Sequence, residues 1–110
     1  MKKATLSKTE TEAILKLKKV LSERYCLLDF RIFGSKVRGA ATPDSDIDIM
    51  IELEETNPAI ESEIDDLVFE INLTFDCFIT TIIFSKKELD EGPLGESPIY
   101  KVIEKEGVRV

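Results

Sequence analysis

From residue 46 to residue 53 the chain reads Asp46-Ile47-Asp48-Ile49-Met50-Ile51-Glu52-Leu53, with apolar side chains at 47, 49, 51 and 53. Successive side chains of a strand point to opposite faces, so this stretch reads as a strand with one face on a core. Asp46 and Asp48 then project together on the other face. Two adjacent carboxylates repel one another unless a cation sits between them. Mg²⁺ is usually held in that way, with phosphate oxygens and waters completing its shell.

Upstream, Cys26 to Phe33 is an apolar and aromatic run that stops at Gly34, which reads as another strand. A strand feeding directly into Gly34-Ser35 lets backbone amides and a hydroxyl approach an anion closely, because glycine has no side chain in the way. Residues 35–44 are expected to form a turn or a short helical segment. A helical turn starting within 36–40 would aim its free amides at the same point. Arg38 adds a fixed positive charge nearby. The alternative metal loop, an EF-hand starting at Asp44, fails because its sixth position must be glycine and is Ile49.

The remaining elements follow from caps and periodicity. Ser7-Lys8-Thr9-Glu10 has the form of a capping box, and Ala13, Leu17, Val20 and Leu21 repeat at helical spacing behind it, predicting a helix over 8–24. Asn57-Pro58 starts a second helix, continued by Ile60, Ile64, Leu67, Val68 and Ile71. Phe75 to Phe84, β-branched and aromatic, is expected to be a third strand. Ser85 to Glu88 is another capping box, opening a short helix. Gly92 to Gly95 is expected to be a loop, and Ser97-Pro98 opens a last helix ended by Gly107. The order α-β-β-α-β-α-α predicts a small α/β (α+β) sandwich, a mixed sheet with helices packed on one face. The other face is then open at the first two strands, where Asp46 and Asp48 point.

A chain of 110 residues is expected to be a single domain, 1–110, with one modest core. It contains no histidine, which removes the commonest general base and every Ser-His or Cys-His dyad. Its two cysteines, Cys26 and Cys77, lack metal or disulfide spacing. The amino terminus has no hydrophobic stretch and no apolar run is long enough to cross a bilayer, so the expected setting is cytoplasmic, with no membrane contact. Net charge is −7 and unevenly spread: residues 1–38 carry ten Lys and Arg, whereas 39–85 carry none and hold twelve Asp and Glu. A nucleic-acid binder needs a basic surface to neutralise phosphates, so direct nucleic-acid binding is not expected.

The pattern Gly34-Ser35-x-x-Arg38-Gly39, followed after five residues by Ser45-Asp46-x-Asp48, resembles the signature of the DNA polymerase β-type nucleotidyltransferase superfamily. The compact length resembles its minimal (MNT) branch. The resemblance implies Mg²⁺-dependent transfer of a nucleoside monophosphate, AMP from ATP, to an acceptor hydroxyl with release of pyrophosphate. Gly34, Ser35, Arg38 and Ser45 would bind the nucleotide, and Asp46 and Asp48 the metal. The family usually has a third carboxylate on the later strand, as metal ligand and base. Here that strand offers only Asp76, at its expected beginning, while an alignment anchored on the Ser85 helix start puts the position nearer Thr80. Minimal members pair with an all-helical HEPN protein, in toxin–antitoxin pairs where the transferase neutralises a ribonuclease toxin, sometimes by adding AMP to a tyrosine. The resemblance thus implies an antitoxin-type adenylyltransferase acting on a HEPN partner. The competing readings are a catalytically weak binding module that sequesters that partner, and transfer to a small hydroxylated molecule such as an antibiotic.

Overall fold

The computed structural model describes residues 6–38 and 46–110. Helix α1 (Lys8–Arg24) opens on the expected capping box, in which the Ser7 hydroxyl accepts from the Glu10 amide and the Glu10 carboxylate accepts from the Ser7 amide. Strand β1 (Leu27–Phe33), the short α2 (Ser35–Arg38) and β2 (Ile47–Leu53) follow. Helix α3 (Pro58–Phe75) is capped by Asn57 with Pro58 in its first turn. Then come β3 (Ile79–Ser85), α4 (Lys86–Glu91), a 3-10 turn at Pro93–Glu96, α5 (Pro98–Glu106) and β4 (Val108–Arg109).

The strands form one mixed sheet in the order β3-β2-β1-β4. β1 runs antiparallel to β2 and to β4, and β2 runs parallel to β3. Alternation along β2 sorts the two faces. Ile47, Ile49, Ile51 and Leu53 enter a core with Ala13, Ile14, Leu17 and Leu21 of α1 and Ile64, Val68 and Ile71 of α3. The two long helices thus cover one face, as the sequence predicts. On the reverse face Met50 and Phe84 pack with Ile103 of α5, and with Leu89, Leu94 and Tyr100. Part of the face expected to be open is therefore roofed by the carboxy-terminal helices, and the part left uncovered includes Asp48.

Two local expectations are corrected. The strand drawn from Phe75 begins only at Ile79, because Phe75 lies one helical repeat after Ile71 and packs on the main core as the last residue of α3. The Gly92–Gly95 loop is a 3-10 turn. Gly107 ends α5 as expected, with φ −62°. Its hydrogen side chain is needed because a Cβ there would stand 2.5 Å from the Ile103 carbonyl oxygen. That close passage lets the chain return as β4, a strand that no sequence signal announced.

β4 is tied down by charge. Arg31 and Arg109 face each other across the β1–β4 pair, and Asp29 bonds both, at 2.7 Å and 3.0 Å. Burial works to raise the Asp29 carboxyl, but the hydrogen bond from Arg109 and the charge of Arg31 outweigh it, so its pKa lies below the usual carboxylate range.

Candidate active site

The site forms where β1 ends and β2 begins. The pairing register sets Phe33 opposite Asp48 on one side and Thr80 opposite it on the other. One row across the reverse face thus reads Phe33, Asp48, Thr80. The Thr80 hydroxyl donates to Oδ1 of Asp48 at 2.8 Å, which fixes one oxygen of the carboxylate. The other oxygen, Oδ2, lies over Gly34, where an added Cβ would stand 2.3 Å from it. Gly34 also has φ +79°, a conformation that glycine adopts readily and a residue with a Cβ does not. The Gly-Ser motif and the second aspartate are therefore in contact.

Ser35 begins α2, whose first turn closes with the amides of Val37 and Arg38 donating to the Gly34 carbonyl. The side chain that anchors this turn was not singled out in the sequence. Lys36 is buried and pairs with Glu10 at 3.0 Å, so the glutamate that caps α1 also holds the Gly34-Ser35 turn in place. Partial burial raises the Glu10 carboxyl, but bonds from the Ser7 amide and from Lys36 outweigh that and lower its pKa. No local sequence signal links positions 10 and 36. Arg38, on the exposed side of α2, reaches Glu106 of α5 at 3.0 Å.

Asp46 is the exposed residue immediately before β2. Its neighbour Ile47 donates its amide to the Phe78 carbonyl at 2.7 Å, so Asp46 stands beside Phe78, just before β3. Ser45 lies outside the described residues. Asp76 does not lie on β3, where the third carboxylate was sought. It caps α3 in the left-handed conformation, φ 51°, two residues before the chain enters the pairing at Phe78. The position across the parallel pair from Asp48 is held by Thr80.

The donor set suits a hard cation completed by a substrate. Asp46 and Asp48 are separated by one residue, and among the described residues Thr80 is the side-chain donor to Asp48, through one carboxylate oxygen. Among the described residues no group of three or more His, Cys, Asp or Glu side chains could hold a metal ion. Mg²⁺ bound through one or two carboxylates plus substrate phosphates needs no such group.

A family model described as a nucleotidyltransferase domain matches residues 14–110. The chain belongs to the nucleotidyltransferase domain family. Among curated relatives, a protein of Methanocaldococcus jannaschii provisionally named a protein adenylyltransferase is 42% identical over 64 residues, covering 58% of this chain and 63% of the relative. Protein adenylyltransferase MntA of Thermococcus cleftensis is 47% identical over 53 residues, covering 47% of this chain and 54% of the relative. The chain thus spans little more than half the length of these relatives. A solved structure provisionally described as a minimal nucleotidyltransferase superposes with a TM-score of 0.63 at 19% identity, over 94% of this chain and 97% of that one. That likeness establishes the nucleotidyltransferase fold. No described helix is long and apolar enough to cross a membrane.

Proposed function

We propose that this nucleotidyltransferase domain transfers AMP from ATP to a hydroxyl of a protein partner, in the presence of Mg²⁺. The observation that carries the reading is the placement of Asp48, pinned by Thr80 and packed against Gly34, beside a turn whose backbone can approach a triphosphate. The relatives named protein adenylyltransferases support AMP as the group and protein as the acceptor.

The residues divide the work as follows. Gly34 admits the triphosphate close to the backbone, and Ser35 offers a hydroxyl and an amide to its oxygens. Arg38 and Ser45 contribute further nucleotide contacts. Asp46 and Asp48 hold the cation, which when bound neutralises phosphate charge and polarises the attacked phosphorus. The acceptor oxygen bonds to the α-phosphorus as the bond to pyrophosphate breaks, and the acceptor's proton passes to a carboxylate of the site or to water. Positioning and electrostatics supply most of the acceleration in chemistry of this class.

The partner in this reading is an all-helical HEPN-type chain, in a cytoplasmic toxin–antitoxin pair in which AMP on a tyrosine disarms the toxin. Incubation with labelled ATP, Mg²⁺ and the protein encoded beside this one should place label on that protein. A second reading is favoured by Thr80, whose hydroxyl stands where a basic carboxylate is expected: the domain binds nucleotide and partner, and neutralises by sequestration. Under that reading no label moves, and the complex survives the paired changes Asp46→Asn and Asp48→Asn.

A further inference from the structure

The carboxy-terminal end of α3 and the residue before β3 form an apolar shelf that neither the core nor the nucleotide explains. Phe69 and Leu73 lie one helical repeat apart on α3, and are 64% and 69% exposed. Phe78, 60% exposed, completes the shelf from the position just before β3. The three line a cavity of about 310 Å³ whose floor includes Cys77 and whose edge includes Asp76. Large side chains on folded surfaces are common singly, whereas three that converge on one cavity mark a contact surface.

Two observations select the occupant. The Phe78 carbonyl accepts from the amide of Ile47, the residue between Asp46 and Asp48, so the β2–β3 pairing sets Phe78, at the end of the shelf, beside Asp46. Its rim is acidic: Asp65 is exposed one helical repeat before Phe69, and Asp76 is exposed at the end of α3, whereas Asp66 and Glu70 line a separate groove with Arg24. A triphosphate would be repelled by that rim. A second copy laid shelf to shelf would oppose like charges, which is costly in an interface.

We propose that the shelf docks the acceptor polypeptide itself, through an apolar segment flanked by lysine or arginine, and so brings its hydroxyl to the site. This rests on the protein-acceptor reading above. The fit follows a familiar division of labour: the aromatic and leucine side chains supply the buried anchor, and the acidic rim supplies orientation and selection. None of the shelf residues belongs to the set assigned to the nucleotide and cation, Gly34, Ser35, Arg38, Asp46 and Asp48, so the two surfaces can be altered separately.

The test uses the full chain with ATP and Mg²⁺ and two fluorescent helical peptides, each with a leucine stripe and one tyrosine, one flanked by lysines and the other by glutamates. The lysine-flanked peptide should bind at least tenfold more tightly. The combined changes Phe69→Ser, Leu73→Ser and Phe78→Ser should weaken it at least tenfold and leave ATP affinity unchanged. The same three positions changed to Met should retain binding within about threefold, which separates loss of the shelf from loss of the fold. Equal binding of both peptides, failure of the lysine-flanked peptide to bind, or undiminished binding by the Ser variant overturns the proposal. So does sedimentation showing a dimer that the Ser variant dissociates, since the shelf is then occupied by a second copy. Binding with the expected pattern but no AMP on the tyrosine sustains the docking surface and counts against the transfer reading.

Discussion

Gly34 and Asp48 are in contact: a methyl group on residue 34 would stand 2.3 Å from Oδ2 of Asp48. Fourteen positions apart in sequence, the two meet because Phe33 and Asp48 are paired across β1 and β2, which brings the residue after Phe33 against the carboxylate. Glycine is required there twice, once for φ +79° and once for the space.

Gly34→Ala should therefore hurt the site more than the fold. The left-handed conformation costs a residue with a Cβ about 1–2 kcal/mol. The clash is with the end of a side chain, which relieves it by moving Asp48 out of place. Thermal unfolding should show a loss of that size, while titration with ATP and Mg²⁺ should show binding weakened at least tenfold.

Thr80 acts on the same carboxylate from the other side, so its hydroxyl is testable by itself. Thr80→Val keeps the shape and removes the donor at 2.8 Å from Asp48 Oδ1. Mg²⁺-dependent nucleotide affinity should fall roughly three- to tenfold, about 0.7–1.4 kcal/mol. Thr80→Ser should restore it. Equal affinity in the Val variant would show that Asp48 is held in place without this bond.

The Lys36–Glu10 pair joins the Gly34-Ser35 turn to α1. Lys36→Met takes the charged partner from the partly buried Glu10 carboxylate, which keeps its bond from the Ser7 amide, and should destabilise the chain by about 1–2 kcal/mol. Glu10→Gln keeps a capping side chain at the third helical position but removes the charge. A double-mutant cycle of the two by chemical denaturation should return a coupling energy of at least about 1 kcal/mol. Additive effects would show that the pair does not anchor the turn.

Asp29 sets part of the acid stability. Its folded pKa lies below its unfolded one, which is near 4, so it stabilises the fold above that pH. The contribution is lost as pH falls below about 4, through the lower folded value. Asp29→Asn should cost about 2 kcal/mol at neutral pH, since two charge-assisted bonds are weakened. It should also flatten the decline of stability as pH falls below about 4. An unchanged acid limb in the variant would remove Asp29 from the account.

Much of this was legible in the residues. Capping boxes at Ser7 and Ser85 and the Asn57-Pro58 start are local signals, and all three begin helices where they stand. Period-two alternation placed β2 and the face of Asp48, because side-chain parity does not depend on the rest of the fold. What was illegible is what depends on non-local contact. β4 consists of two residues and exists only as a partner for β1. Phe75 reads as strand by composition but completes a helical repeat from Ile71. Asp76 was assigned to β3 on that same composition, and the end of α3 took it away. The Lys36–Glu10 pair requires knowing that α2 folds back against α1.

The central claim is that Asp46 and Asp48 hold the cation on which nucleotide binding depends. Calorimetric titration of ATP with and without Mg²⁺, into the native chain and into the variant carrying Asp46→Asn and Asp48→Asn, tests it most directly. The native chain should bind ATP with Mg²⁺ and lose most of that affinity without it. The variant should bind at least a hundredfold more weakly, about 2.7 kcal/mol, and respond little to Mg²⁺. An unchanged Mg²⁺-dependent affinity in the folded variant would contradict the assignment of the site.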